Sequence, residues 1–165
     1  RAGEARAIGV PHYCRTDLDD VPAIATIKPA TNQVQFLVGM GTAGANSTDD
    51  REYHKKVGVT YQSFSPLCGP CDGSDATELI SGKLVTSIGA KYKKTGAQVA
   101  LKWQVQQGIP VIPKTHSAEH MKQHIELFDW TLAKEDMDAL TGATVPAVAG
   151  NMEHGVEVSG DCDVL

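Results

Sequence analysis

The chain is short of aromatic residues, of cysteine, of surplus positive charge and of long apolar runs, and each shortage narrows what it can be. Aromatic side chains make up 5% of its 165 residues, so a core has to be assembled from Val, Ile, Leu and Ala. Its four cysteines, Cys14, Cys68, Cys71 and Cys162, are scattered in a way that does not read as a disulfide framework. Fifteen Lys and Arg stand against 20 Asp and Glu, and the net charge of −5 disfavours nucleic acid and anionic lipid as partners. No apolar run approaches the roughly 20 residues that cross a bilayer as a helix, so membrane insertion is not expected. What remains is 41% hydrophobic and 21% charged residues, the balance of one globular domain. The sequence opens on Arg1, and its first six residues read like the interior of a longer protein.

Four segments carry the strand signature of apolar, often β-branched residues bounded by Gly or Pro. They cover residues 5–10, 32–36, 57–63 and 110–112. Helical patterns are expected at 17–25, 48–56, 81–92, 97–106, 117–126 and 134–140. In the third of these, Leu84, Ile88 and Tyr92 recur every four residues and predict one buried stripe. Pro22 weakens the first. Ser117 is a natural N-cap, and Gly108 is a stop signal after 97–106. Strands alternating with helices predict parallel βαβ units. From Val145 the chain turns rich in Gly and small residues, which reads as an irregular tail over 145–165.

Six motifs follow one another along residues 1–143. They are GEARAIGVPHY at 3–13, TNQV at 31–34, YQSFSPL at 61–67, TGAQVALKW at 95–103, GIPVIPKT at 108–115 and FDWTLAKEDMDAL at 128–140. In this order they resemble the C-terminal, nucleotide-binding half of an aldo-keto reductase. The resemblance implies an α/β fold, half of a (β/α)8 TIM barrel with about four βα units over residues 1–144. A whole barrel takes about 250 residues, so four units leave two strand edges to be covered. Either a missing N-terminal half or another polypeptide would cover them.

Some of the chemistry can be read from the residues themselves. Lys114 and Thr115 follow a strand and precede a helix, which joins a cation, a hydroxyl and free helix N–H groups where a phosphate is well held. The resemblance adds that they hold the 2′-phosphate of NADPH. It further implies that Phe64 stacks on the nicotinamide, that Gln33 meets its carboxamide, and that Ser65 and Leu67 run along the pyrophosphate. Three places depart from the family pattern. Pro11-His12 replaces the usual Ser-Asn pair at the carboxamide, and His12 supplies only part of what Asn offers. His120 stands where an Arg often meets the 2′-phosphate, which weakens the preference for NADPH and leaves NADH as the alternative cofactor. Gln123-His124 stands where Glu-Asn commonly meets the adenine.

The family's catalytic Asp, Tyr, Lys and His belong to the half of the barrel that precedes the segment resembling 3–13. None of Tyr13, Tyr53, Tyr61 or Tyr92 has the matching context, so no catalytic residue is assigned. The expected activity is NAD(P)H-dependent reduction of an aldehyde or ketone to an alcohol by the intact enzyme, this chain alone being inactive. The tail would then contribute to the pocket of the carbonyl substrate. The alternative is a non-catalytic structural or regulatory subunit that keeps the half-barrel.

Two further signals compete. Cys68-Gly69-Pro70-Cys71 has dithiol spacing, but it follows Leu67 and runs into the acidic loop 72–75 instead of opening a helix. It reads as two loop thiols. His116, His120 and His124 fall every four residues, a spacing able to hold a metal, yet no Cys or carboxylate is placed to complete a site. They read as an exposed polar face, and Asp161-Cys162-Asp163 reads likewise.

Overall fold

The computed structural model of the chain describes residues 3, 5–39, 47–67 and 79–143, of which 47–50 by backbone alone. The Cys68/Cys71 pair, the tail 145–165 and its Asp161-Cys162-Asp163 triplet lie outside the described residues. Strands β1 (Gly9–Pro11), β2 (Thr31–Gln35), β3 (Thr60–Phe64) and β4 (Val111–Ile112) form one all-parallel sheet in the order β1-β2-β3-β4. Around them run α1 (Arg15–Ile24), α2 (Ser47–Val57), α3 (Lys83–Tyr92), α4 (Gly96–Gln106), α5 (Ala118–Ile125) and α6 (Lys134–Thr141). Sequential neighbours in a parallel sheet, with helices between, make part of a (β/α)8 barrel. The expected architecture holds.

Boundaries moved where backbone chemistry decides them. The first strand is paired over Gly9–Pro11, not from residue 5, although the Ile8 carbonyl still accepts from Ala30 N at 2.8 Å. Residues 57–59 are not strand, because Val57 ends α2 and Gly58 turns the chain with φ +66°. Helix α1 runs through Pro22. In α3 the buried stripe is Val85, Ile88 and Gly89, while Leu84 is 37% exposed. The helix starts at Lys83, and its packing against α4 turns Val85 inward and Leu84 outward.

Two glycines allow this packing. A Cβ on Gly96 would lie 2.2 Å from the Ile80 carbonyl oxygen, so only Gly lets α4 begin there. Gly108, at φ +77°, turns the chain from α4 towards β4, as its stop signal predicts.

Helix α4 is the centre of the structure and is buried nearly all round. Trp103 stacks on Phe36 with ring centroids 5.2 Å apart, Tyr61 meets Phe36 edge-on at 5.9 Å, and Trp103 Nε1 donates to Thr141 Oγ1 at 3.1 Å. Its polar residues are buried with partners on other segments. Gln98 Nε2 donates to the Gln123 carbonyl at 3.2 Å, Lys102 Nζ to the Leu127 carbonyl at 2.8 Å and Gln104 Nε2 to the Pro66 carbonyl at 3.1 Å. These bonds fasten the end of β3 and the α5 region to one helix. Burial pushes the Lys102 ammonium below its ordinary pKa.

A second tie joins α3 to α6. Asp136 accepts from Lys91 Nζ at 2.5 Å and from the Tyr92 hydroxyl at 2.7 Å, and that hydroxyl accepts from Ala133 N at 2.9 Å. The Lys91 bond, then the Tyr92 bond, hold the Asp136 carboxyl below the usual carboxylate range. A carboxyl depressed in the folded state stabilises fully above its unfolded pKa, and the contribution is lost as pH falls through the folded value. Asp136→Asn is therefore expected to flatten the acid limb of stability below about pH 4. Urea unfolding midpoints across that range test this, and parallel acid limbs in parent and variant would refute it.

Candidate functional site

Because all four strands run the same way, their C-terminal ends share one edge of the sheet, where enzymes of this architecture place their chemistry. Two of those ends are strained. His12 leaves β1 with φ +51°, and Ser65 leaves β3 with φ +48°, left-handed values that cost roughly 1–2 kcal/mol for a residue with a Cβ. Both left-handed residues stand where a strand leaves the sheet at this edge.

The turn at His12 is held from beneath. Its N–H donates to the Gln33 carbonyl at 2.8 Å. Asn32, fully buried, accepts from Tyr13 N at 3.0 Å and donates to the Tyr13 carbonyl at 2.7 Å. The same Nδ2 lies 2.9 Å from Nε2 of the buried His54 on α2. With Nδ2 donating, His54 accepts through Nε2 and is neutral. Asn32 thus clamps residue 13 to the sheet by both backbone groups, and the His12 ring is carried to Phe64. The two ring centroids are 6.0 Å apart at 63°. Burial lowers the His12 pKa, so this imidazole faces the site uncharged near neutrality.

Strand alternation puts Asn32 and Val34 of β2 towards the helices and Gln33 and Gln35 on the opposite face. Gln33 Nε2 donates to Gln62 Oε1 of β3 at 3.0 Å. Gln35 is buried, and its Nε2 has no hydrogen-bond acceptor among the described residues. This face is therefore rich in amide donors and acceptors, where barrel interiors are usually filled by branched apolar side chains.

Beyond β4, Lys114 is exposed and Thr115 half-buried. Thr115 Oγ1 accepts from Ser117 N at 3.1 Å and lies 3.4 Å from His120 Nδ1. Ser117 caps α5 as expected, accepting from His120 N at 3.3 Å. Thr115 and His120 are thus brought together at a helix N-terminus beside the Lys114 cation. His124, one turn on, lines with Thr115, Met121, Ile125 and Phe128 a largely apolar groove of about 800 Å³. Burial, then the neighbouring His120, lowers the His124 pKa.

Among the expected site residues, His12 and Phe64 are brought together, as are Thr115 and His120. Gln33 is near the middle of β2, Ser65 is at the kink, and Leu67 packs against the hydrophobic core. His116 precedes the Ser117 cap, so the three histidines do not share one helical face. Among the described residues no three His, Cys, Asp or Glu side chains gather around a common metal position. Burial and its bond to Asp19 push the Tyr53 phenol up to about 12, and the bond to Asp136 raises that of Tyr92. Neither is suited to give up a proton near neutrality. Asn32, His54 and Gln62 belong to the site without being candidates from the sequence. The available signal is the pair of adjacent amides Asn32 and Gln33 on β2, which strand alternation sends to opposite faces.

The comparisons agree with this fold. The model of the aldo/keto reductase family matches residues 1–144, and the chain belongs to that family. It is 34% identical over 145 residues to the NAD(P)H-dependent D-xylose reductase of Aspergillus niger, covering 84% of this chain and 44% of that protein. It is 32% identical over 138 residues to the glyoxal reductase of Bacillus subtilis, covering 84% of this chain and 46% of that one. Among solved structures, an aldo-keto reductase from a Medee basin deep-sea metagenome library superposes with a TM-score of 0.75 at 29% identity, over 87% of this chain and 49% of that one. The chain spans about half the length of the relatives it matches.

Proposed function

We propose that this chain is the nucleotide-binding half of an NAD(P)H-dependent reductase that converts aldehydes or ketones to alcohols. The observation that carries the reading is the shared C-terminal edge, where a strained His12 beside Phe64 and a Thr115–His120 pair beside Lys114 stand at the ends of parallel strands. The residues present fit a dinucleotide. Lys114, Thr115 and the first turn of α5 offer a cation, a hydroxyl and N–H groups to a phosphate. Phe64 offers an aromatic surface for a planar ring. Gln33 and neutral His12 offer amide and imidazole groups for a carboxamide.

In this reading Lys114, Thr115 and His120 hold the 2′-phosphate, Ser65 and Leu67 line the pyrophosphate, and His124 meets the adenine. A nicotinamide held there would supply hydride chemistry to a carbonyl substrate. The chain's own part is to bind and orient, and the polypeptide that completes the barrel supplies the proton for the carbonyl oxygen.

Both flanks of the sheet carry exposed apolar side chains. Ile8 and Ile24 stand beside β1 and α1, and Ile112, Ile125 and Phe128 beside β4 and α5. We assign these flanks to that completing polypeptide, the N-terminal half of the same enzyme or a separate subunit. The non-catalytic alternative needs the same cover, so the flanks do not separate the two readings; reductase activity of the completed barrel does.

Lys114→Ala tests the phosphate assignment in the full chain. NADPH affinity is expected to fall about tenfold, the value of one exposed charge-assisted hydrogen bond. NADH affinity should stay within about twofold, because NADH lacks that phosphate. Calorimetric or fluorescence titration reads both constants. Equal losses for the two nucleotides would sink the assignment.

A further inference from the structure

We infer that Gln62 is a positioning residue for the nicotinamide end of the cofactor site: it sets the side-chain amide of Gln33, and through it the order in which donor and acceptor meet a carboxamide. This rests on the reading of Gln33 just given. Gln33 and Gln62 are register partners in adjacent parallel strands, so their side chains leave the same face of the sheet next to each other. Gln33 Nε2 donates to Gln62 Oε1 at 3.0 Å, and both residues are half-buried.

Packing alone gives no reason for a glutamine at position 62. The face it occupies is one that branched apolar side chains usually fill, and burying an amide there requires a partner. The partner is Gln33. A glutamine unattached at its tip can turn its amide over and present oxygen or NH2 in the same direction. With one N–H committed to Gln62 Oε1, the carbonyl and second N–H of Gln33 take defined directions. A carboxamide is itself a donor and an acceptor in fixed order, so it distinguishes one arrangement from its reverse. Backbone beneath the pair is equally fixed, because the Gln33 carbonyl accepts from His12 N at 2.8 Å. In the arrangement observed, the pair offers the ligand one hydrogen-bond polarity.

The test compares the full chain with Gln33→Ala, Gln62→Met and Gln62→Glu, titrating NADPH and its 3-acetylpyridine analogue, which keeps the acceptor and lacks the NH2. Gln62→Met preserves length but cannot accept the bond, and NADPH affinity is expected to fall about fivefold, the size of one neutral hydrogen bond. The preference for NADPH over the analogue should shrink with it. Gln62→Glu accepts the same N–H, and its affinity should stay within about twofold of the parent. A purely structural role would instead shift both ligands alike and penalise Glu as much as Met. Gln62→Thr replaces the Met variant should the latter not fold, as judged by circular dichroism. If the parent binds no NADPH, or Gln33→Ala binds it as well as the parent, the reading of the site fails and this inference with it. If Gln33→Ala weakens NADPH while Gln62→Met or Gln62→Thr matches the parent with the analogue preference intact, only the role of Gln62 is overturned.

Discussion

Trp103→Ala is expected to lower the unfolding free energy by about 3–5 kcal/mol, a large fraction of the stability of a small domain. Three contributions add to that figure. The indole is 1% exposed, so its removal leaves a cavity at the most crowded point of the core. Its ring stacks on Phe36 at 5.2 Å, and Arg51 covers the same Phe36 ring from 5.3 Å. Its Nε1 anchors α6 through Thr141 Oγ1 at 3.1 Å. Trp103→Phe keeps most of the volume and loses only the hydrogen bond, so it should cost about 1–2 kcal/mol. Urea unfolding followed by far-UV circular dichroism measures both. A cost below about 1 kcal/mol for Trp103→Ala would show that α4 is not the element on which the sheet is assembled.

Asn32→Ala is expected to cost about 2–4 kcal/mol, through loss of two part-buried hydrogen bonds to Tyr13 and a buried one to His54. Unlike the tryptophan, this residue also shapes the candidate site. Without the clamp, the strained φ at His12 has less to hold it, and the imidazole is freed from its place beside Phe64. NADPH affinity should therefore fall in conditions where the variant is still folded. Asn32→Asp is the informative companion, because a carboxylate accepts from Tyr13 N but cannot donate to the Tyr13 carbonyl or to His54. It should lose about as much stability as Asn32→Ala, since it adds a buried charge to two missing donations. A fully stable Asn32→Asp would show that the donation to the Tyr13 carbonyl carries no weight, since His54 can turn donor at Nε2 towards a carboxylate.

Much of the fold is legible in the sequence because it depends on local pattern. Among the described residues, six helices and four strands fall where periodicity and Gly or Ser punctuation put them, with boundaries shifted by a few residues. The errors are local too. Leu84 has the right spacing for a buried stripe, but only the rotation of α3 against α4 decides that Val85 faces inward. The site is less evenly legible. Lys114, Thr115 and Ser117 can be read as a strand end meeting a helix cap, since all three are neighbours in sequence. Asn32, His54 and Gln62 cannot, because their roles lie in bonds that cross 19, 22 and 29 residues.

By itself, then, the sequence determined the family order of motifs, the parallel α/β character and the capped helix start beyond β4, all properties of short segments. The tertiary structure alone decided which polar groups face one another across strands. Sheet register paired Gln33 with Gln62, and packing of α2 against the neighbouring strand β3 brought His54 to Asn32. The physical reason is the period of the strand. One residue of slip reverses every side chain between the two faces, and nothing local to a five-residue strand sets that register.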